Sequence, residues 1–485
     1  VDVKNGDKYL DDVKIFAEGS IIHVELIDAS YVDQFLYNCA SVALYPLRED
    51  IVAKLTLDEP FYDNALDPVT KEPILIGNSY LTYYSWASIS AITVCCGPFY
   101  TKKIDLYPTE GTPSITLERN KYYYRDTSDT GDDALRKYVD PYRINIYLLS
   151  EQEAYQAYNS GTVLEFNELP YLLNSNLPLE ARSSSDNVHN RLATYSYFFN
   201  TENPLFENAE VRKALSSVLD RNEIAKRVVY GKAAEGIISE GVFYTGKKTS
   251  FRSTAGNVIG SAITVDAAKA AITAAGGKTG TFTLSVRNTP EEIAVAEYVK
   301  EVWEKLGYTV NIETLGNRSA KYYEVVGIKE DHYDVQAVYE GLSRDLYYEK
   351  YQSGEFDVIG VQLAMLSTDP FTALSQFASR YSGNAYDFTE SAEVFDPISH
   401  ITNYNSEEYN ALIDSYFQAK NADERAQIML AAERLLINDA PVAPLYNMQV
   451  GYKTQSRITG VKTDYYGYLN FTKAGDSSYN YEPVE

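Results

Sequence analysis

The sequence is poor in the residues that most catalytic chemistry uses. Among 485 residues there are four histidines, three cysteines, three methionines and two tryptophans. His23, His189, His332 and His400 are scattered, and none has a second His or a Cys at ligand spacing. A zinc site or a histidine-based catalytic site is therefore unsupported. Cys39, Cys95 and Cys96 are too few for a disulfide scaffold. A bridge from Cys39 to one of the vicinal pair and free thiols both stay open.

Positive charge is also short. Against 68 Asp and Glu stand 43 Lys and Arg, a net charge of −25. That argues against a nucleic-acid partner, which needs clustered positive charge to displace counterions, and disfavours docking on anionic lipid. No apolar run reaches the roughly 20 residues of a membrane span; the longest nearly unbroken small-and-apolar stretch runs from Trp86 to Cys96. No leader stands at the start, and the chain opens at Val1 rather than at a methionine, as a processed protein or a fragment would. Gly277-Lys278-Thr279 lacks the phosphate-loop glycine, since Ile272 stands in its place, and neither a dinucleotide fingerprint nor a nucleophile elbow occurs. No catalytic residue, metal or cofactor is expected. Paired carboxylates of the kind a glycosidase needs cannot be recognised in sequence, so a carbohydrate-binding or carbohydrate-active surface protein stands as the alternative class.

What the chain does have is tyrosine, 44 of them. A flat apolar face carrying one hydroxyl suits the gripping of peptides or sugars, and suits strands equally well. Helices and strands alternate over most of the length. Residues 13–28 read as two short strands joined at Glu18-Gly19, and 31–43 as a helix. Residues 97–120 read as two strands, 143–149 as a strand, 151–160 as a helix and 162–166 as a strand. Asn208 is set to cap one helix, and Asp220 with Glu223 starts another that ends at Gly231. Further on, helices are expected over 265–275, 290–306 and 423–438, with strands at 281–286, 308–313 and 356–361. The class is α/β.

The run from Tyr195 to Gly231 carries a family signature. A tyrosine-rich strand ends in Asn200, followed by Pro204, Phe206, Val211, Arg212, Ala214, Leu215, Asp220 and Arg221. Gly97-Pro98-Phe99 with Leu117-Glu118-Arg119-Asn120, then Gly354-Glu355-Phe356-Asp357, Asp369-Pro370 and residues 441–446 follow in the same order. This pattern resembles the oligopeptide- and dipeptide-binding proteins of ABC importers, solute-binding protein family 5. The resemblance covers the chain from about Val13 onward and implies a type II periplasmic-binding-protein-like fold.

In that fold two discontinuous lobes are joined by a hinge, and here the first lobe would be incomplete for want of an N-terminal portion. Lobe I would take residues 1–198 and 448–485, with the remnant of a small extra domain at 1–45; lobe II would take 199–447. The implied function is the extracytoplasmic binding component of an importer, not an enzyme. It would be a monomer that holds a peptide or other small solute in the cleft and delivers it to a membrane permease. The implied location is the cell surface, as a lipid-anchored protein, or the periplasm. Tyr195, Tyr197 and Asn200 would lie on the hinge-side strand, and Leu363, Met365, Leu366, Ser367 and Asp369 would line the facing wall. Leu366 occupies the place where such proteins commonly carry an aspartate for the peptide ammonium, so Asp369 substitutes, the register differs, or the ligand lacks a free amino terminus there.

Overall fold

The computed structural model describes residues 14–19, 21–26, 29–41, 75–76, 79–80, 97–105, 111–123, 138–160, 172–173, 187–244, 247–316, 321–329, 332–340, 346–365, 367–379, 381 and 402–477. The chain divides into two compact units. One comprises residues 1–44, 190–316 and 346–450, the other 45–189, 317–345 and 451–485. Leu366, Cys95, Cys96 and the expected strand at 162–166 lie outside the described residues, while Cys39 is an exposed free cysteine.

The first unit begins with an antiparallel hairpin, Ile15–Glu18 against Ile21–Val24. It turns at Gly19, whose φ of 61° is a left-handed conformation that glycine adopts without a Cβ clash. Helix α1 (Val32–Asn38) follows.

The centre of the unit is a mixed sheet of β1 (Asn187–Phe199), β2 (Gly231–Ala233), β3 (Thr281–Arg287), β4 (Thr309–Leu315), β5 (Val358–Ala364) and β6 (Val442–Thr454), in the order β2-β6-β1-β5-β3-β4. β3 pairs in parallel with both β4 and β5, whereas β5 pairs antiparallel with β1. From Leu192 to Phe199 every residue of β1 is buried, as a strand covered on both faces requires.

Helix α2 (Ala209–Ser217) is capped by Asn208, whose side chain accepts from Glu210 N–H. The helix expected from Asp220 to Gly231 is short: α3 covers Arg221–Ala225 only. Asp220 caps it as expected, but Val229 N–H donates to Glu291 Oε1 at 2.8 Å rather than continuing the helical ladder. Gly231 then opens β2 opposite Met448, where a Cβ would lie 2.4 Å from the Val228 side chain.

After α4 (Val265–Ala274), helix α5 (Pro290–Glu304) is the crossover between β3 and β4. Proline in its first turn and the Thr289 cap explain its start. It buries Val295, Ala296, Val299 and Trp303 against the sheet, and Trp303 Nε1 donates to Leu215 O at 2.9 Å. α6 (Leu346–Ser353) precedes β5, and α7 (Ala422–Asp439) precedes β6.

Two buried arginines from the family-like run bind carbonyls rather than acids. Arg212 donates to the carbonyls of Phe206, Glu207, Asp439 and Ala440. Arg221 donates to those of Pro444, Ser216 and Leu219, and burial holds its pKa down at about 10.

The second unit contains an antiparallel sheet of Phe99–Asp105, Ser114–Arg119 and Arg143–Tyr147. Asn120 Nδ2 donates to Gly97 O at 2.9 Å, and Arg119 donates to the carbonyls of Asp140 and Pro141, so both parts of that motif are structural ties. A long hairpin, Lys321–Lys329 against His332–Glu340, belongs to this unit and was not expected from the sequence.

Candidate functional site

Strand β5 is where the first unit offers an unused edge. Its pairing with β1 runs the whole length, from Val358↔Phe199 to Ala364↔Ala193. On the other side, its pairing with β3 stops at Ser285↔Ile359. Beyond that rung no strand among the described residues covers the β3 side.

Backbone groups alternate between the two sides of a strand. Met365 N–H donates to Leu192 O at 2.7 Å, so the odd-numbered residues turn their backbone groups to β1. Gly360, Gln362 and Ala364 turn theirs to the open edge. The Gly360 carbonyl there accepts from Tyr347 Oη at 2.7 Å, and Gln362 and Ala364 are exposed. The free part of the edge therefore starts at Gln362.

Behind it sits a buried carboxylate, Glu292, in the first turn of α5. Its Oε2 accepts from Tyr195 Oη at 2.9 Å and from Arg287 N–H at 2.9 Å. Its Oε1 accepts from Gln362 Nε2 at 3.3 Å. Burial pushes the Glu292 carboxyl above the usual range, against the pull of these hydrogen bonds. Arg287 stacks its guanidinium 3.8 Å over the Tyr347 ring.

Past β5 the chain turns through Ser367, Thr368 and Asp369. Thr368 N–H donates to Asn38 Oδ1 at 3.0 Å and Asp369 Oδ2 accepts from Gln34 Nε2 at 3.5 Å, so α1 grips this turn. Asp369 also accepts from Tyr416 Oη at 3.2 Å and Phe371 N–H at 2.9 Å. Burial raises its pKa. Tyr31, Phe371, Tyr416, Phe417 and Arg425 line a pocket beside it.

The residues singled out from the sequence fall in different surroundings. Tyr195 and Tyr197 are fully buried, Tyr195 held by Glu292 and Tyr197 packed near Trp303. Burial raises both hydroxyls well above the ordinary tyrosine range. The Asn200 amide ties a turn: Nδ2 donates to Phe356 O, and Oδ1 accepts from Glu202 N–H and Asn403 Nδ2. Leu363 and Met365 are buried, with Ser239 Oγ donating to the Met365 sulfur at 3.8 Å. Ser367 is half-buried and accepts from Asp369 N–H. Leu366 is outside the described residues. Gln362 and Ala364 were missed, although Gln362 is the one strongly polar residue in the run VIGVQLA.

Among the described residues no group of three or more His, Cys, Asp or Glu could hold a metal ion, and no helix is long and apolar enough to cross a membrane.

Residues 53–385 match the model of the bacterial extracellular solute-binding proteins, family 5 (middle). The chain belongs to that family. It is 24% identical over 400 residues to the dipeptide-binding protein DppE of Bacillus subtilis, covering 79% of this chain and 61% of that protein. It is 24% identical over 373 residues to the oligopeptide-binding protein OppA of the same organism, covering 75% of this chain and 58% of that one. The chain thus spans about three fifths of the length of these relatives.

The fold is shared with the substrate-binding domain of an oligopeptide ABC transporter from Bacillus anthracis (TM-score 0.65, 19% identity, 97% of this chain and 77% of that one). It is shared equally with peptide-bound OppA of Listeria monocytogenes (TM-score 0.64, 16% identity, 98% and 77%). The periplasmic-binding-protein-like α/β fold expected from the resemblance is therefore the fold of this family 5 protein. In open α/β sheets ligands gather outside the carboxyl ends of the strands. The Gln362 edge, beside the end of β3 and the start of α5, lies in such a place within its unit.

Proposed function

We propose that this protein is the substrate-binding component of an ABC importer and takes peptides along the open edge of β5. The observation that carries the reading is that, among the described residues, no partner strand follows beyond Ile359, which leaves the backbone groups of Gln362 and Ala364 directed outward. An extended peptide added at such an edge gains main-chain hydrogen bonds that do not depend on its sequence. Names of the relatives and neighbours, which speak of dipeptides, oligopeptides and a bound peptide, support the ligand class.

Closure of two lobes on the peptide, delivery to a membrane permease, action as a monomer, extracytoplasmic location with a lipid anchor, and the absence of catalysis complete the proposal. The lobes set out from the sequence, 1–198 with 448–485 and 199–447, are proposed with two segments exchanged, since residues 1–44 group with 190–316 and 346–450, and residues 317–345 with 45–189 and 451–485. Of the residues expected from the sequence to touch the ligand, Ser367 and Asp369 continue from this edge. Leu363, Met365 and Leu366 belong to the same stretch, with Tyr195 and Tyr197 on the neighbouring strand and Asn200 just past the end of that strand, beside Phe356 and Asp357.

The test is a thermal-shift measurement with a pool of short unmodified peptides and a matching pool of oligosaccharides, followed by mass spectrometry of what is retained and what is released unchanged. A ligand at a hundred times its Kd stabilises by about 2.7 kcal/mol. Stabilisation by peptides recovered intact supports the reading. Stabilisation by oligosaccharides alone, or cleavage of either pool, overturns it.

A further inference from the structure

Resting on the peptide reading, we infer that Gln362 selects the ligand side chain at the rung opposite it, and that Glu292 is the positioning residue that sets the selection. The orientation of the Gln362 amide follows from its neighbour. An ionised carboxylate accepts hydrogen bonds and cannot donate them. Glu292 meets the Gln362 side chain through Oε1, at 3.3 Å from Nε2. Its other oxygen is held by two donors, Tyr195 Oη and Arg287 N–H, so the carboxylate is fixed, and the end of the amide that faces it is the nitrogen.

The amide carbonyl is then the acceptor left for the exposed side of Gln362. This acceptor stands beside the outward backbone groups of the same residue, on the same face as Tyr195, its partner across β1. A guest strand paired at the open edge brings one of its own side chains to that face, about 4.5–5.5 Å away between Cβ atoms.

The register of that guest is also set. Tyr347 Oη occupies the Gly360 carbonyl, so pairing cannot begin before Gln362. A ligand side chain that donates, such as Asn, Gln, Ser, Thr or Lys, is accepted opposite Gln362. An Asp or Glu meets an outward carbonyl with a carboxylate behind it and is rejected. One hydrogen bond of this kind contributes about 0.5–1.5 kcal/mol, roughly two- to twelvefold in affinity.

The experiment compares wild-type protein, Gln362→Met and Glu292→Gln, each checked for an unchanged circular dichroism spectrum, for the sequences each retains from a pool of short unmodified peptides. Gln362 is exposed, so its methionine variant keeps the fold. In the wild type one ligand position is enriched in donor side chains and depleted in Asp and Glu. Gln362→Met abolishes the preference at that position and leaves the others. Glu292→Gln supplies a neighbour that can donate, lets the Gln362 amide invert, and admits Asp and Glu at the same position. A merely structural role for Glu292 predicts weaker retention with an unchanged preference. If peptides bind and no position changes its preference in Gln362→Met, the inference is overturned and the peptide reading stands. If no peptide is retained by the wild type, the peptide reading falls and takes the inference with it.

Discussion

On the β1 side, strand β5 is closed along its whole length; on the β3 side, among the described residues, it is closed as far as Ile359. The closed side is dry and aromatic. Tyr195 lies 5.1 Å from Tyr446 and 5.9 Å from Tyr197, ring to ring, and Gly360 opposite Tyr197 leaves room for these rings. The open side is polar and sparsely furnished, with Gln362, Ala364 and the tyrosine hydroxyl on Gly360. The one strand thus anchors a core through its odd-numbered backbone groups and, from Gln362 onward, leaves its even-numbered ones without a strand partner among the described residues. A stiff closed side is what allows an open edge to persist without fraying, because the rungs to β1 do not depend on a ligand.

The largest break in this comparison comes from two adjacent prolines. In a strand that tolerates its φ, proline removes one N–H and puts its ring where that N–H pointed. At Met365 the lost N–H is the one donated to Leu192 O, and a buried side chain goes with it. Met365→Pro is expected to cost at least about 3 kcal/mol in urea unfolding, from packing and an orphaned carbonyl together. At Ala364 the lost N–H points outward. Ala364→Pro is expected to keep its unfolding midpoint within about 1 kcal/mol of wild type and to lose peptide retention tenfold or more, as one ladder bond and its steric neighbourhood go. Equal destabilisation by the two variants would show that the two sides are not distinct.

Gly360 sharpens the same contrast at lower cost. A Cβ there would lie 2.1 Å from Tyr195 Oη and 2.9 Å from its Cζ. Tyr195 is fully buried and tied to Glu292, so it cannot swing away. Gly360→Ala is expected to destabilise by about 1–3 kcal/mol, the usual range for overpacking. Adding Tyr195→Phe removes the nearest atom, and the double variant should cost less than the sum of the singles. Strict additivity, measured by chemical denaturation, would mean that the closed side yields elsewhere.

How much of this was legible in the sequence depended on the reach of the interaction. Caps act over two or three residues, and Asn208, Asp220 and the Pro290 start were readable as such. The α/β alternation and the family run were readable too. The roles inside that run were not. Arg212 and Arg221 look like surface charges, yet they are buried on carbonyls more than 200 residues away. Tyr195 suggests a ligand contact until Glu292, 97 residues on, is seen to take its hydroxyl. The paired strands Lys321–Lys329 and His332–Glu340 do carry an aromatic and β-branched signal in the sequence, Tyr322, Val326, Tyr333 and Val338 among it. Gln362 had a local signal as well: a lone amide in an apolar strand is either an error of burial or an exposed edge. Nothing local, by contrast, ties Gln34 and Asn38 to residues 368 and 369.

Those last ties give a smaller effect, at the turn where β5 leaves the sheet. Asn38→Ala deletes the acceptor for Thr368 N–H and is expected to cost about 0.5–1.5 kcal/mol. Asp369 in the same turn gives a dependence on pH rather than a shift at one pH. Burial raises its carboxyl, opposed by Phe371 N–H, the Tyr416 hydroxyl, the Gln34 amide and the Arg425 charge. The folded protein therefore holds the proton to higher pH than the unfolded chain does. That contribution is complete below the unfolded aspartate value of about 3.9 and is lost as pH rises through the raised native value. Asp369→Asn cannot ionise, so it escapes the loss while keeping an oxygen for Phe371 N–H. Relative to wild type, its urea midpoint should gain as pH rises from the unfolded aspartate value of about 3.9 through the raised native value. Parallel pH curves for the two proteins would mean that the turn gives up its burial when Asp369 ionises, and that the open edge ends in a looser anchor than the closed side provides.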